Sequence, residues 1–150
     1  METIEIKNIE GKVLYSYTCE NNNISKTLKQ ASREKVCLKR ANLAGAVIEN
    51  VVLKNLNLRE ANFEKAQFID IKIYNSCLNK VNLTNTYMYN VYFKYTALYA
   101  IYVKYSTIVN STFTSCVLDN ALFYRTDICN NNFEKTILGT YILLIQYLIM

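Results

Sequence analysis

The sequence predicts an all-β solenoid, and three observations carry that reading. Written in fives from Val36, the chain runs VCLKR ANLAG AVIEN VVLKN LNLRE and onward, and the third residue of every block is apolar. That holds for twenty-one consecutive blocks, Leu38 to Leu138, with no slip of phase. The first residue of each block is small or apolar, apart from Asn131. Neither the helical period of about 3.6 nor the strand period of about 2 produces a register of five. Such a register belongs to stacked repeat units that bury one continuous core. The third observation is an absence: the chain has no proline and only Gly11, Gly45 and Gly139, so it must turn by some other rule.

Totals bound the rest. A chain of 150 residues suffices for one domain with a real core. With 51% hydrophobic residues it is not a disordered chain. It has no histidine, so a mixed Cys/His metal site is excluded. The five cysteines, Cys19, Cys37, Cys77, Cys116 and Cys129, are odd in number and show no short metal or redox spacing. They read as reduced thiols in a cytoplasmic protein. The start, METIEIKNIEGK, alternates charge and apolarity and is not a signal peptide. Heavy use of Lys, Ile, Asn and Tyr fits an AT-rich coding genome, as in many bacteria and phages.

The blocks ANLAG, LNLRE, ANFEK, VNLTN and ALFYR resemble the A(N/D)LXX unit of the pentapeptide-repeat proteins, and the resemblance covers about two thirds of the chain. It implies a right-handed quadrilateral β-helix, in which each pentapeptide forms one side and four form a coil. Residues twenty apart should then stack at the ~4.8 Å strand spacing. Each inward column has its own character. One is Leu38, Leu58, Leu78, Leu98, Leu118 and Leu138; another is Leu53, Ile73, Phe93, Phe113 and Phe133. The expected organisation is an N-terminal cap at 1–35, a β-helix of about five coils at 36–138 and an apolar C-terminal segment at 139–150. The fifth-position column Asn50, Asp70, Asn90, Asn110 and Asn130 is expected to supply turn chemistry as a stacked amide ladder.

Both ends of such a rod need caps. IEIKN and KVLYSYTCE read as a β-hairpin with Gly11 in the turn. ISKTLKQASREK reads as a short helix with Ser25 as N-cap. Lys26, Lys29, Arg33, Lys35, Lys39 and Arg40 face Glu34 alone and form a basic collar, either a solvated helix face or an anion-binding surface. At the other end lies an apolar tail or helix with Tyr141, Ile142, Leu144, Ile145, Leu148 and Ile149. It falls short of the ~20 residues of a membrane span. In the resembling family a C-terminal cap often pairs end to end, so these residues are expected to form a homodimer. A fold-back cap and membrane association are the alternatives.

YMYNVYFKYTALYAIYVKY, from Tyr87 to Tyr105, is one full coil in this register. Tyr87, Tyr89, Tyr92, Tyr95, Tyr99, Tyr102 and Tyr105 should point outward with Lys94 and Lys104, forming a girdle in a stretch, Ile71 to Leu118, that lacks Asp and Glu. Two readings stand: the rings stack on one another to stabilise the sheet, or they hold a partner. A protein partner would use Tyr as a hot-spot residue, and single-stranded bases would stack on it. No motif suggests catalysis, and no cofactor or metal is expected. The reading is a non-enzymatic interaction rod, an inhibitor or modulator of a nucleic-acid-handling host complex of the phage anti-defence type. The resemblance offers a DNA mimic that binds gyrase or topoisomerase IV as one alternative. Mimicry needs acidic faces, whereas this chain is net +5. A structural or effector repeat protein is the other alternative.

Overall fold

A computed structural model describes residues 1–139. The chain opens with an antiparallel hairpin, β1 (Glu2–Lys7) and β2 (Val13–Cys19), and a helix, α1 (Ile24–Arg33). Gly11 takes φ +88° in the hairpin turn, a conformation glycine adopts without penalty. The helix cap is Asn23, not Ser25. Asn23 Oδ1 accepts the Lys26 N–H at 2.8 Å, satisfying one of the free donors of the first turn. Asn22 ties the hairpin to the helix, donating to Tyr17 O at 2.7 Å and accepting from Thr27 Oγ1 at 3.1 Å.

Ser25 has a different task. It lies inside α1, where its Oγ accepts the Glu49 N–H at 2.8 Å. Ser32, two turns on and on the same face, accepts the Lys54 N–H and donates to Lys54 O, each at 2.8 Å. Between them Leu28 and Ala31 are fully buried against the coil. The hairpin closes a further side: the Asn42 N–H donates to Lys7 O at 2.7 Å and the Ile9 N–H to Arg40 O at 3.1 Å. Exposed strand edges invite mispairing, and the cap removes them at this end. Tyr15 packs here. Burial and its hydrogen bond to the Glu34 carboxylate push its phenol up to about 12.

Beyond the cap the chain winds into four faces. The first carries Val47–Glu49 (β3), Gln67–Ile69 (β5), Tyr87–Tyr89 (β7), Thr107–Val109 (β10) and Asp127–Cys129 (β13) as one parallel sheet. The second carries Val52–Lys54 (β4), Lys72–Tyr74 (β6), Tyr92–Lys94 (β8), Thr112–Thr114 (β11) and Asn132–Glu134 (β14). The third is held by bridges from Cys37 through Asn57, Cys77, Ala97 and Val117 to Ile137. The fourth runs from Asn42 through Asn62 and Asn82 to Tyr102–Lys104 (β9) and Leu122–Tyr124 (β12). Every pairing joins residues twenty apart, so the inward columns stack as the sequence predicts. Phe93, Phe113 and Phe133 are parallel rings at 4.9 Å spacings. The interior is filled, with a void of about 10 Å³ among Leu83, Met88, Phe93 and their neighbours.

The turning rule is general. The fifth residue of every block from Arg40 to Lys135 has positive φ, between +48° and +69°. Asparagine or aspartate holds nine of these twenty corners and no β-branched residue holds any, as left-handed sterics demand. The expected amide ladder is reduced to one link, Asn90 Nδ2 to Asp70 Oδ1 at 2.6 Å. A ladder does form elsewhere, on the fourth face, where Asn82 donates to Asn62 at 3.2 Å and Asn62 to Asn42 at 3.4 Å.

First-position side chains solve the remaining backbone problem. Ser106 Oγ accepts the Thr86 N–H at 3.0 Å and donates to Leu83 O at 2.7 Å. Ser111 Oγ accepts the Val91 N–H at 3.1 Å and donates to Val109 O at 3.0 Å. Asn131, the one first-position residue neither small nor apolar, accepts the Ser111 N–H and donates to Ile108 O, both at 2.7 Å. Buried donors are costly when unpaired, which accounts for polar residues at these inward sites.

Candidate interaction surface

The girdle follows from the coil. Between Tyr87 and Tyr105 the third-position Met88, Phe93, Leu98 and Val103 and the first-position Val91, Thr96 and Ile101 are all buried, which leaves the second, fourth and fifth positions to face out. Tyr87 and Tyr89 stand on the first face, Tyr99 on the third and Tyr102 on the fourth, all exposed. Tyr95 and Tyr105 occupy left-handed corners at φ +51° and +53° and are the most exposed tyrosines among the described residues, at 59% and 52%. Tyr92 differs: it is half-buried, its ring edge-on to Tyr74 at 5.8 Å. Tyr105 likewise meets Tyr124 edge-on at 5.6 Å. Lys94 lies 5.1 Å over the Tyr95 ring and Lys104 6.0 Å over Tyr102. All nine girdle residues therefore share one coil, spread over four faces.

The basic collar divides. Lys26 Nζ donates to Glu20 O and Asn21 O, Lys39 pairs with Glu60, and Arg40 pairs with Glu10 at 2.8 Å. Lys29, Arg33 and Lys35 remain exposed, on and just after α1. They border a depression of about 480 Å³ that also takes in Val52 and Lys54. A second depression of about 460 Å³ continues from Val52 and Lys54 past Lys72 and Tyr74 to Lys94 and Tyr95. Sequence reading did not connect these groups. The signal was available: on the second face, the outward positions before Glu134 contain lysine and tyrosine but no acid.

The residues Tyr141, Ile142, Leu144, Ile145, Leu148 and Ile149 lie outside the described residues. All five cysteines are unpaired. Among the described residues no group of acidic, Cys or His side chains is placed to hold a metal, and no helix is long and apolar enough to cross a membrane.

Residues 37–73 match the pentapeptide repeats family in eight copies. No curated relative matches the chain by sequence. Among solved structures it is similar to the pentapeptide repeat protein Rfr23 from the cyanobacterium Cyanothece 51142, at 13% identity and a TM-score of 0.60, over 63% of this chain and 65% of that one. A pentapeptide repeat protein of the Arabidopsis thaliana thylakoid lumen aligns at 14% identity and a TM-score of 0.42, over 57% and 59% of the two chains. QnrB1, a plasmid-mediated fluoroquinolone resistance protein, aligns at 11% and 0.39, over 65% and 58%. The chain thus spans less than two thirds of the length of each of these proteins. Residues 37–73 thus carry pentapeptide repeats, and the same phase runs on to Leu138 through a solenoid whose fold is similar to that of Rfr23.

Proposed function

We propose that the protein is a non-enzymatic interaction rod whose partner is held by the girdle of Tyr87, Tyr89, Tyr92, Lys94, Tyr95, Tyr99, Tyr102, Lys104 and Tyr105. The carrying observation is at the corners. Tyr95 and Tyr105 are exposed in left-handed backbone that tyrosine adopts at a cost of ~1–2 kcal/mol. Asparagine serves the same corner columns at Asn55, Asn75 and Asn85. A residue that strains the fold and points into water is better explained by what it binds. Exposed Tyr with adjacent Lys suits a partner that is itself anionic or bound to nucleic acid. The finer reading is therefore an inhibitor or modulator of a nucleic-acid-handling host complex, of the phage anti-defence type, acting in the cytoplasm.

Co-purification from a native host identifies the partner, and titration of variants tests the surface. Replacing Tyr102 and Tyr105 by Ser should weaken binding by about 2 kcal/mol or more, roughly thirtyfold. Parental affinity in that variant would contradict the reading. A gyrase-directed DNA mimic is not favoured, because the net charge is +5. Supercoiling by purified gyrase should proceed unhindered. Inhibition that is relieved by neutralising Glu60, Glu64 or Asp70 would reverse that choice. The homodimer through the apolar tail stays part of the proposal, supported by exposed Ile137 and Leu138 at the rod's C-terminal rim. Light scattering should give twice the monomer mass at micromolar concentration, and a monomer would end the dimer idea.

A further inference from the structure

We propose that the second face, from α1 to Tyr95, is a binding strip for single-stranded nucleic acid. It shares Lys94 and Tyr95 with the girdle but rests on the cations from α1 to Lys72, so it does not require the girdle's partner. Six cations line it: Lys29, Arg33, Lys35, Lys54, Lys72 and Lys94. None is ion-paired among the described residues, whereas four of the other eleven cations are, in Lys7–Glu5, Lys39–Glu60, Arg40–Glu10 and Arg59–Glu60. The nearby acids are engaged. Glu34 accepts from Gln30 Nε2 at 2.8 Å. Asp70, at the corner bordering the first face, accepts from Asn90 at 2.6 Å. Within the second face the first acid is Glu134, beyond the strip.

The two depressions share Val52 and Lys54, so the strip is one continuous trough running along the rod from the cap to the girdle. Lys54, Tyr74 and Lys94 stack in one outward column, the outer two about 10 Å apart at the strand spacing. Lys54 Nζ sits 5.7 Å over the Tyr74 ring. Tyr95 stands at the trough's end, more than half exposed, at a corner that Asn55 and Asn75 hold in the two coils before it. Cations in register with aromatic faces fit a polymer that offers phosphates and unstacked bases together. An acidic peptide would use the lysines and leave the rings unused. A duplex keeps its bases stacked inside.

The test is anisotropy of a fluorescent oligothymidine titrated with the full chain over a salt series. Binding should weaken linearly in log salt, with a slope of about 0.7 per phosphate neutralised. Lys54→Gln with Lys72→Gln should weaken binding about tenfold or more and lower that slope. The charge-matched control, Lys65→Gln with Arg125→Gln, removes two cations from the corner diagonal to Tyr95 and should leave affinity near parental. Tyr95→Asn should weaken binding several-fold with the slope kept. Each variant is checked by circular dichroism, and Lys54→Ala with Lys72→Ala replaces the Gln pair if that pair fails to fold. The proposal is overturned by absence of saturable binding at low salt, or by equal loss in the Lys65/Arg125 control. It is also overturned if polyglutamate of matched charge competes as well as unlabelled oligothymidine, which would assign the strip to an acidic protein.

Discussion

In residues 37–73 every first-position side chain is apolar: Ala41, Ala46, Val51, Leu56, Ala61, Ala66 and Ile71. From Ser76 to Thr136, seven of thirteen are Ser or Thr. The coil is the same in both, since Ile73 pairs with Phe93, Phe93 with Phe113 and Phe113 with Phe133 without a shift of register. The backbone is satisfied differently. Ala41, Ala46, Ala61 and Ala66 send their N–H groups to the carbonyl three residues back, so the side chain can be a methyl. In the later stretch Val81 and Ala121 keep that bond, but the Thr86 and Val91 N–H groups use a hydroxyl from the next coil, as Leu56 already does with Ser76. The outer surface changes with the inner one. The first stretch mixes Glu49, Glu60, Glu64 and Asp70 among its lysines, while Ile71 to Leu118 has no acid and carries the tyrosines. The family match ends at residue 73, close to where alanine at the first position gives way to Ser and Thr, while the coil continues. Third-position apolarity and a left-handed fifth residue suffice to wind the solenoid, which leaves the later outward positions available for recognition.

The comparison is broken most forcibly in the core. Leu58 and Leu98 occupy one leucine column in the two stretches, each 1% exposed. Replacing either by Asp buries an unpaired charge at a cost of several kcal/mol, about 3–5 or more, and should unfold the rod. Thermal melts followed by circular dichroism check this. A native-like melt for Leu98→Asp alone would mean that the later coils do not share the register of the earlier ones.

A smaller effect separates the two backbone solutions. Ala66 and Ser106 lie in one first-position column, two coils apart. Ser106→Ala leaves the Thr86 N–H without its acceptor and should cost about 1–3 kcal/mol. Ala66→Ser should cost less, because it removes no acceptor: the Ala46 N–H one coil earlier already reaches Leu43 O at 3.1 Å. Denaturant midpoints of the two variants decide it; equal losses would show that the hydroxyls contribute only volume. Smaller still is the corner exchange. Asn55→Tyr, at φ +57°, should lower stability by about 1 kcal/mol, read as a shift in the same midpoint.

The period of five exposed the core columns residue by residue from Leu38 to Phe123, where burial of the third residue in each block leaves no alternative to an apolar side chain; Leu138, inward by the same phase, is 52% exposed at the rim. The corners were only partly legible. Asn50, Asp70, Asn90, Asn110 and Asn130 announce left-handed backbone, but Lys65, Arg125 or Tyr95 in the same conformation carries no local mark. The cap falls two residues before the expected Ser25, because the choice of Asn23 over Ser25 turns on the Lys26 N–H reaching Asn23 and on Ser25 being taken by the Glu49 N–H. The outward placement of the tyrosines followed directly from phase. The half-burial of Tyr92 did not, because it depends on Tyr74 one coil away. The trough joins a helix to strands that lie tens of residues apart, and the collar gave no sign that Lys26, Lys39 and Arg40 are engaged within the fold.

The central claim is that the girdle tyrosines serve recognition and not the fold, and the melting temperature of Tyr95→Asn with Tyr105→Asn tests it most directly. Asparagine relieves two left-handed tyrosines, and the core beneath is untouched. The account therefore predicts a melting temperature equal to the parent or raised by a few degrees, at about 2–4 °C per kcal/mol for a chain of this size. A fall of several degrees would contradict it, placing the two rings, and Tyr105 against Tyr124 in particular, among the contacts that hold the rod together.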